Sequence, residues 1–272
     1  MRRFYTYKIG AIGLVLFAFV SCEKIIDLDL NQTEDKMVVD AVLSNLPDQS
    51  VVRLSKSNAL FSEDPYQEIE EANVTVKTAD GMSISFPEVE PGIYKNENFR
   101  GLEGAEYHLE IDWKEISISA NSKMPKAILI DSIELVVSER GFMGNDDIAY
   151  SLKVHFSDPA NQANYYRFDV FKNDTLYDGF IVSNDLFYNG IATNQLVMGY
   201  EMQPLDTICV QISSIDKANY SYFLVLSQSD SPFIIAPGNP VSNLQGNAIG
   251  YFGAYAQNRK YIIIPASSSL NQ

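Results

Sequence analysis

The sequence predicts a mostly β protein, with an N-terminal immunoglobulin- or fibronectin-like sandwich followed by a second β-rich domain that carries one helix. Three observations lead there. Short runs in which apolar and polar residues alternate recur along the chain, separated by Gly, Pro, Asn and Asp. Aromatic residues make up 12% of the chain, with 16 Tyr and 15 Phe, and such rings suit a pleated, half-buried surface. Apolar residues at helical spacing recur clearly in one segment of the region after the leader, near residues 215–228.

The first element is a leader. Arg2, Arg3 and Lys8 precede residues 9–20, which carry no charge. A bilayer span needs about 20 apolar residues, so this run is short for a membrane helix and has the layout of a secretory signal. Ser21 and Cys22 follow at once, a pairing that resembles the bacterial lipobox, although Phe19 stands where Leu is usual. The reading is a lipoprotein signal peptide over residues 1–21, with Cys22 acylated as the new N-terminus. More than one acyl chain makes a stable anchor, at about 0.8 kcal/mol for each buried methylene. Residues 22–36 read as a tether.

Residues 37–125 read as the sandwich. Runs at 37–45, 50–57 and 72–81 are strands, the last turning at Asp80-Gly81, a hairpin signal. A second turn is expected at Pro91-Gly92. In residues 101–113 Tyr107, Leu109 and Ile111 share one face, and His108, Glu110 and Asp112 share the other. Roughly seven short strands in about 90 residues match an immunoglobulin-like sandwich. Gly104 before Tyr107 suits a corner in which the tyrosine hydroxyl satisfies a backbone group.

Residues 126–272 read as the second domain. Strands are expected at 127–139 and 148–159, the latter with Tyr150, Leu152, Val154 and Phe156 inward, and a hairpin over 164–182 turns near Asn173-Asp174. A strand at 206–214 leads to the helix near 215–228, where Ser213 and Asp216 resemble a capping box and Ile215, Ala218, Tyr222 and Val225 recur at helical spacing. Residues 249–255 and 260–265 read as a closing hairpin.

The formal net charge is −15, and removal of Arg2, Arg3 and Lys8 with the leader makes it −18. So acidic a chain is repelled by nucleic acid and by anionic lipid headgroups, which leaves the acyl anchor to hold it at a membrane. Cys209 is the only other cysteine and alternates with Ile208 and Val210 as a small buried hydrophobe.

The order of "SC", "VVDAVLSN", "GIYKNENFRGLEGAEYHLEI", "IDSIEL", "FSDPANQANYYRF", "SSIDKANYSYF" and "NPVSNLQGNAIGYFGAY" resembles a family of Bacteroidota outer-membrane lipoproteins catalogued as a domain of unknown function (number four-two-four-nine). The resemblance covers nearly the whole mature chain and is most specific over residues 240–255 and the Tyr-rich helix. It implies an outer-membrane lipoprotein working beside a TonB-dependent transporter, and it brings no catalytic residues.

No motif for chemistry emerges from the residues. His108 and His155 fall on the polar phase of their strands, and no nucleophile elbow, P-loop or zinc spacing occurs. Gly246, Gly250 and Gly253 follow a long loop and lack the helix of a dinucleotide cradle, so they read as bulges or close backbone contacts. Acidic runs at 62–71 and 144–147 read as solvated loops, without an EF-hand spacing for calcium. The site expectations are therefore Cys22 for lipidation and Tyr251, Phe252 and Tyr255 for ligand or partner contact, with no catalytic residue, metal or cofactor. The functional expectation is a non-enzymatic accessory or binding subunit of a TonB-dependent nutrient transporter at the outer membrane, with the cell surface favoured. The alternatives are a carbohydrate-active hydrolase using acidic loop residues, or a stand-alone glycan-binding module; a glycan or peptide is the expected class of ligand.

Overall fold

The structure is a computed structural model that describes residues 36–58, 66–138, 149–198, 200–229 and 238–266. The expected signal peptide, Cys22, nearly all of the tether, residues 62–65 of the first acidic run and the whole of the second lie outside the described residues.

Strands β1 (Met37–Ser44) and β2 (Val51–Lys56) pair antiparallel, and β3 (Asn73–Thr78) and β4 (Ser83–Ser85) form the hairpin expected at Asp80-Gly81. β5 (Glu88–Glu90) and β6 (Ile93–Lys95) flank the Pro91-Gly92 turn, and β7 (Glu106–Trp113) and β8 (Ile116–Lys123) follow. Alternation is the cause of each face. In β7 Tyr107, Leu109 and Ile111 are buried while Glu106 and Asp112 are exposed. The corner is also built as its residues suggest, for the Leu102 N–H donates to the Tyr107 hydroxyl at 2.6 Å.

The second half contributes β9 (Ile130–Ser138), β10 (Ala149–Ser157), β11 (Tyr165–Lys172), β12 (Thr175–Leu176), β13 (Ile181–Asn184), β14 (Ala192–Val197) and β15 (Thr207–Ile215). In β10 the inward set Tyr150, Leu152, Val154 and Phe156 is buried. Asn173 and Asp174 join β11 to β12 with φ of 49° and 66°, the two left-handed positions of a tight hairpin turn. Helix α1 (Lys217–Ser229) follows β15, and β16 (Leu244–Gln245) and β17 (Ala248–Ile263) complete the described chain.

Two corrections to the sequence reading concern the last elements. The expected closing hairpin is one continuous strand of 16 residues, β17. The expected capping box is a single cap: β15 runs on to Ile215, and Asp216 itself receives the Asn219 N–H at 2.8 Å. Ser213 belongs to the strand.

β17 organises the fold. Its first half, from Ala248 to Tyr255, pairs parallel with β1, and its second half, from Ala256 to Ile263, pairs antiparallel with β15. One nine-stranded sheet results, in the order β12-β11-β15-β17-β1-β2-β6-β5, with β13 on β11. Facing it are the sheets β16-β8-β7-β3-β4 and β14-β10-β9. The boundary near residue 125 separates β1–β8 from β9–β15, but β16 and the first half of β17 return to complete the first sandwich. Its core holds Val39, Leu43, Leu54, Tyr94, Leu109 and Phe252; the second holds Leu152, Phe156, Tyr166, Phe168, Val210 and Ile212. Each large side chain so buried contributes about 1.5–3 kcal/mol.

The change of partner along β17 leaves backbone groups that neither β1 nor β15 reaches, and side chains meet them. Asn243 receives the Phe252 N–H at 3.0 Å and donates to the Phe252 carbonyl at 2.7 Å. Ser122 receives the Ala254 N–H at 2.9 Å, and Asn45 receives the Gln257 N–H at 2.7 Å. A buried N–H or C=O left unpaired costs about 1–3 kcal/mol, so these side chains allow the strand to cross the junction unbroken.

Close approach at the junction also explains one glycine. Gly250 has φ of +110°, and a Cβ there would stand 2.0 Å from the Val39 carbonyl oxygen. Gly250→Ala is therefore expected to lower the unfolding free energy by roughly 1–3 kcal/mol, or more where β1 cannot retreat, as read by chemical denaturation. An unchanged midpoint would mean that β1 and β17 do not approach this closely.

Candidate functional site

Of the three aromatic residues expected to contact a ligand, the structure buries two. Phe252 is 0% exposed in the first core, and Tyr255 is 3% exposed beneath α1. Tyr251 is half-buried, with its ring centroid 4.8 Å from Phe223 and 5.3 Å from Tyr222 of the helix. The reason is the phase of β17. Phe252 and Ala254 enter the first sandwich, and Tyr251 and Tyr255 lie on the outer face of the large sheet, where α1 covers them. Gly253 makes room, since a Cβ there would fall 2.1 Å from the Tyr255 ring. These residues form a packing junction and offer no ready contact surface.

That junction has a charged centre. Arg167 of β11 lies with its guanidinium 4.5 Å from the Phe180 ring centroid and 4.4 Å from that of Phe223, and it donates to Asp169 at 2.8–2.9 Å. Burial pulls the guanidinium pKa down, but the Asp169 carboxylate and the neighbouring Tyr251 and Tyr255 oxygens push it up further, and the net displacement is upward. Burial also drives the hydroxyls of Tyr251 and Tyr255 well above the ordinary phenol range. Asn219, 1% exposed, links helix to strand: its Nδ2 donates to the Phe252 carbonyl at 3.0 Å and its Oδ1 receives the Tyr255 hydroxyl at 3.0 Å.

Two open grooves flank Tyr107 at one end of the first sandwich. One, of about 590 Å³, is lined by Met82, Ile84, Phe99, Leu102 and Tyr107 among others. The other, of about 540 Å³, has Lys77, Glu106, His108, Lys123 and Asp216 on its walls. Of its two carboxylates, Glu106 is exposed and Asp216 is committed to structure, holding the helix N-terminus through Asn219 and receiving the Ser122 hydroxyl at 2.6 Å. The displaced carboxylates elsewhere move down rather than up. Hydrogen bonding from Lys77 lowers Glu110, and hydrogen bonding from His155 lowers Glu134. Both histidines thus lie in exposed cross-strand charge clusters. Cys209 is buried, which raises its thiol pKa. Among the described residues no group of three or more His, Cys, Asp or Glu converges to hold a metal ion.

The surface best built for contact is the loop between β13 and β14. It presents Leu186 and Phe187, 75% and 89% exposed, with Ile191 at 56%. Buried polar groups fix its base. Asp185 receives the Asn164 N–H at 2.9 Å, and Asp158 receives the Gly190 N–H at 2.9 Å and the Tyr166 hydroxyl. Between them the Tyr188 ring stands edge-on to Phe156 at 5.9 Å, with its hydroxyl 2.7 Å from Ser183 Oγ. The Leu186 N–H donates to Asn184 Oδ1 at 3.1 Å. Two large apolar side chains are thereby held in water by a pre-formed turn, an arrangement that lowers the ordering cost of docking.

With this geometry in view, comparison with known proteins places the chain. The family described as "Domain of unknown function (DUF4249)" matches residues 23–261. The chain belongs to this family. Among curated proteins none matches it. Solved structures similar to this DUF4249 chain include a segment of two fibronectin type-III domains from chicken tenascin, 13% identical, covering 66% of this chain and 91% of that one at a TM-score of 0.21. A chain of a cytokine receptor complex is 9% identical, covering 85% of this chain and 99% of that one at a TM-score of 0.26. The sandwich assignment rests on the strand order and the two cores.

Sequence reasoning missed Arg167, Asn219 and the Leu186–Phe187 loop. The loop carried a signal in "SNDLFYNG", where two large apolar residues lie between Asn-Asp and Asn-Gly, but exposure at such a turn is set by the braces at Asp158 and Asn164. In the DUF4249 junction, Arg167→Ala strands Asp169 in a buried place and is expected to cost about 3–5 kcal/mol. Arg167→Met combined with Asp169→Leu should recover most of that loss in the same denaturation measurement. A double variant as unstable as the single one would show that stacking, not the charge pair, dominates.

Proposed function

We propose that this DUF4249 chain is a lipid-anchored, non-catalytic contact subunit of the outer membrane that works beside a TonB-dependent transporter and uses a braced loop end of its second sandwich to engage a partner. The observation that carries this reading is the Leu186–Phe187 pair, held exposed on a base of buried hydrogen bonds. The lipobox-like Ser21-Cys22 supports the anchor. Of the two carboxylates on the polar groove, Asp216 is tied to helix capping and to Ser122, which leaves Glu106 without the second free acid of a hydrolase pair and favours contact over acid–base work. A glycan platform needs neighbouring exposed rings, whereas among the described residues the exposed aromatics Tyr66, Phe187 and Tyr261 stand on separate segments of the chain.

The test is purification of the tagged full-length lipoprotein from its own membranes in mild detergent under several growth conditions. A barrel protein should co-purify, and Cys22→Ser should release the chain from the membrane and lose the barrel. Recovery of the wild-type chain without any barrel in every condition would contradict the proposal.

A further inference from the structure

We infer that the partner of the Leu186–Phe187 knob is a protein surface with an apolar socket and a basic rim. This inference rests on the contact reading above and gives the partner its chemistry. The shape comes first. The knob is convex, two adjacent side chains at 75% and 89% exposure on a turn with a buried base, so its complement is concave and apolar.

Charge supplies the rim. Asp158 and Asp185 are 5% and 7% exposed directly beneath the knob, and both are satisfied by neutral donors: Tyr166 and Gly190 for one, Asn164 for the other. Among the described residues neither forms an ion pair. The loop itself adds no cation to offset them, since from Asn184 to Ile191 the chain carries Asp185 and no Lys or Arg. Two buried negative charges under an exposed apolar tip project a field that a basic rim complements and an acidic one opposes.

The same field argues against a lipid occupant. Loops that enter a membrane surface carry Lys or Arg beside their apolar residues and gain from anionic headgroups. This loop has neither the cations nor a neutral base, and in the full chain it adds to a net charge of −15.

The experiment places a photo-crosslinking phenylalanine analogue at position 187 of the full-length lipoprotein in its own membranes, with position 102 on the first sandwich as the control. The expected adduct at 187 is the co-purifying barrel, and little of it should form from 102. Leu186→Ser with Phe187→Ser should cut barrel recovery about tenfold or more, as loss of a central contact does. The thermal midpoint should not move, since both side chains lie in solvent. Ile191→Lys should weaken recovery more than Ile191→Glu, and raising the salt should lower wild-type recovery several-fold.

Each other result counts against the inference. An adduct with lipid alone, an adduct with a second copy of the chain, or full barrel recovery by the double variant overturns it while the contact reading stands. Equal loss from Ile191→Lys and Ile191→Glu, with no effect of salt, overturns the basic rim. A wild-type chain that recovers no barrel removes the contact reading and the inference together.

Discussion

The fold depends on one strand serving two sandwiches. β17 is bonded to β1 along its first half and to β15 along its second, so each core has the same strand as part of a wall. A strand can change partners only where its freed backbone groups find others. Here Asn243, Ser122 and Asn45 supply them, reproducing with side chains the bonds that a neighbouring strand would have made. The polar stretch from Gln257 to Arg259 marks the crossing. Gln257 receives the Ser44 hydroxyl at 2.6 Å, Asn258 receives the Ile130 N–H at 2.9 Å, and Arg259 donates to Gln211 at 2.7 Å and to Gln49 at 2.8 Å.

Helix α1 follows from the same constraint. Where the large sheet passes from one sandwich to the other, its outer face carries Tyr251, Tyr255, Val42 and Ile215, and without a cover these would meet water. The helix covers them with Phe223, Tyr220, Tyr222 and Leu226, and Arg167 fills the space between rings that an apolar side chain would leave without a partner for Asp169. Asp216 ties the start of the helix to Ser122 of β8, so strands from both halves of the chain hold it. A loop such as that bearing Phe187 can then be placed by the hydrogen bonds at its base, because the strands at its root are anchored in a continuous sheet.

Much of this was legible in the residues, and the reason is locality. Alternation in β7 and β10 needs only the pleat, the left-handed Asn173 and Asp174 need only the turn, and Tyr107 reaches a backbone group within its own corner. What escaped depends on distant partners. Gln257, Asn258 and Arg259 resemble a turn until Ser44, Ile130, Gln49 and Gln211 are brought beside them, which is why one strand read as a hairpin. Asn219 looks like a surface helix residue until Phe252 and Tyr255 meet it. Phe252 and Tyr255 are likewise buried by distant partners, the one by the first core and the other by the helix.

The central claim is that the two sandwiches are coupled through β17, and residue-resolved hydrogen exchange across that strand tests it most directly. Residues 248–255 and 256–263 should exchange with the same opening free energy and should lose protection together as denaturant rises. Separate opening of the two halves, with one sandwich protected while the other exchanges, would contradict the account.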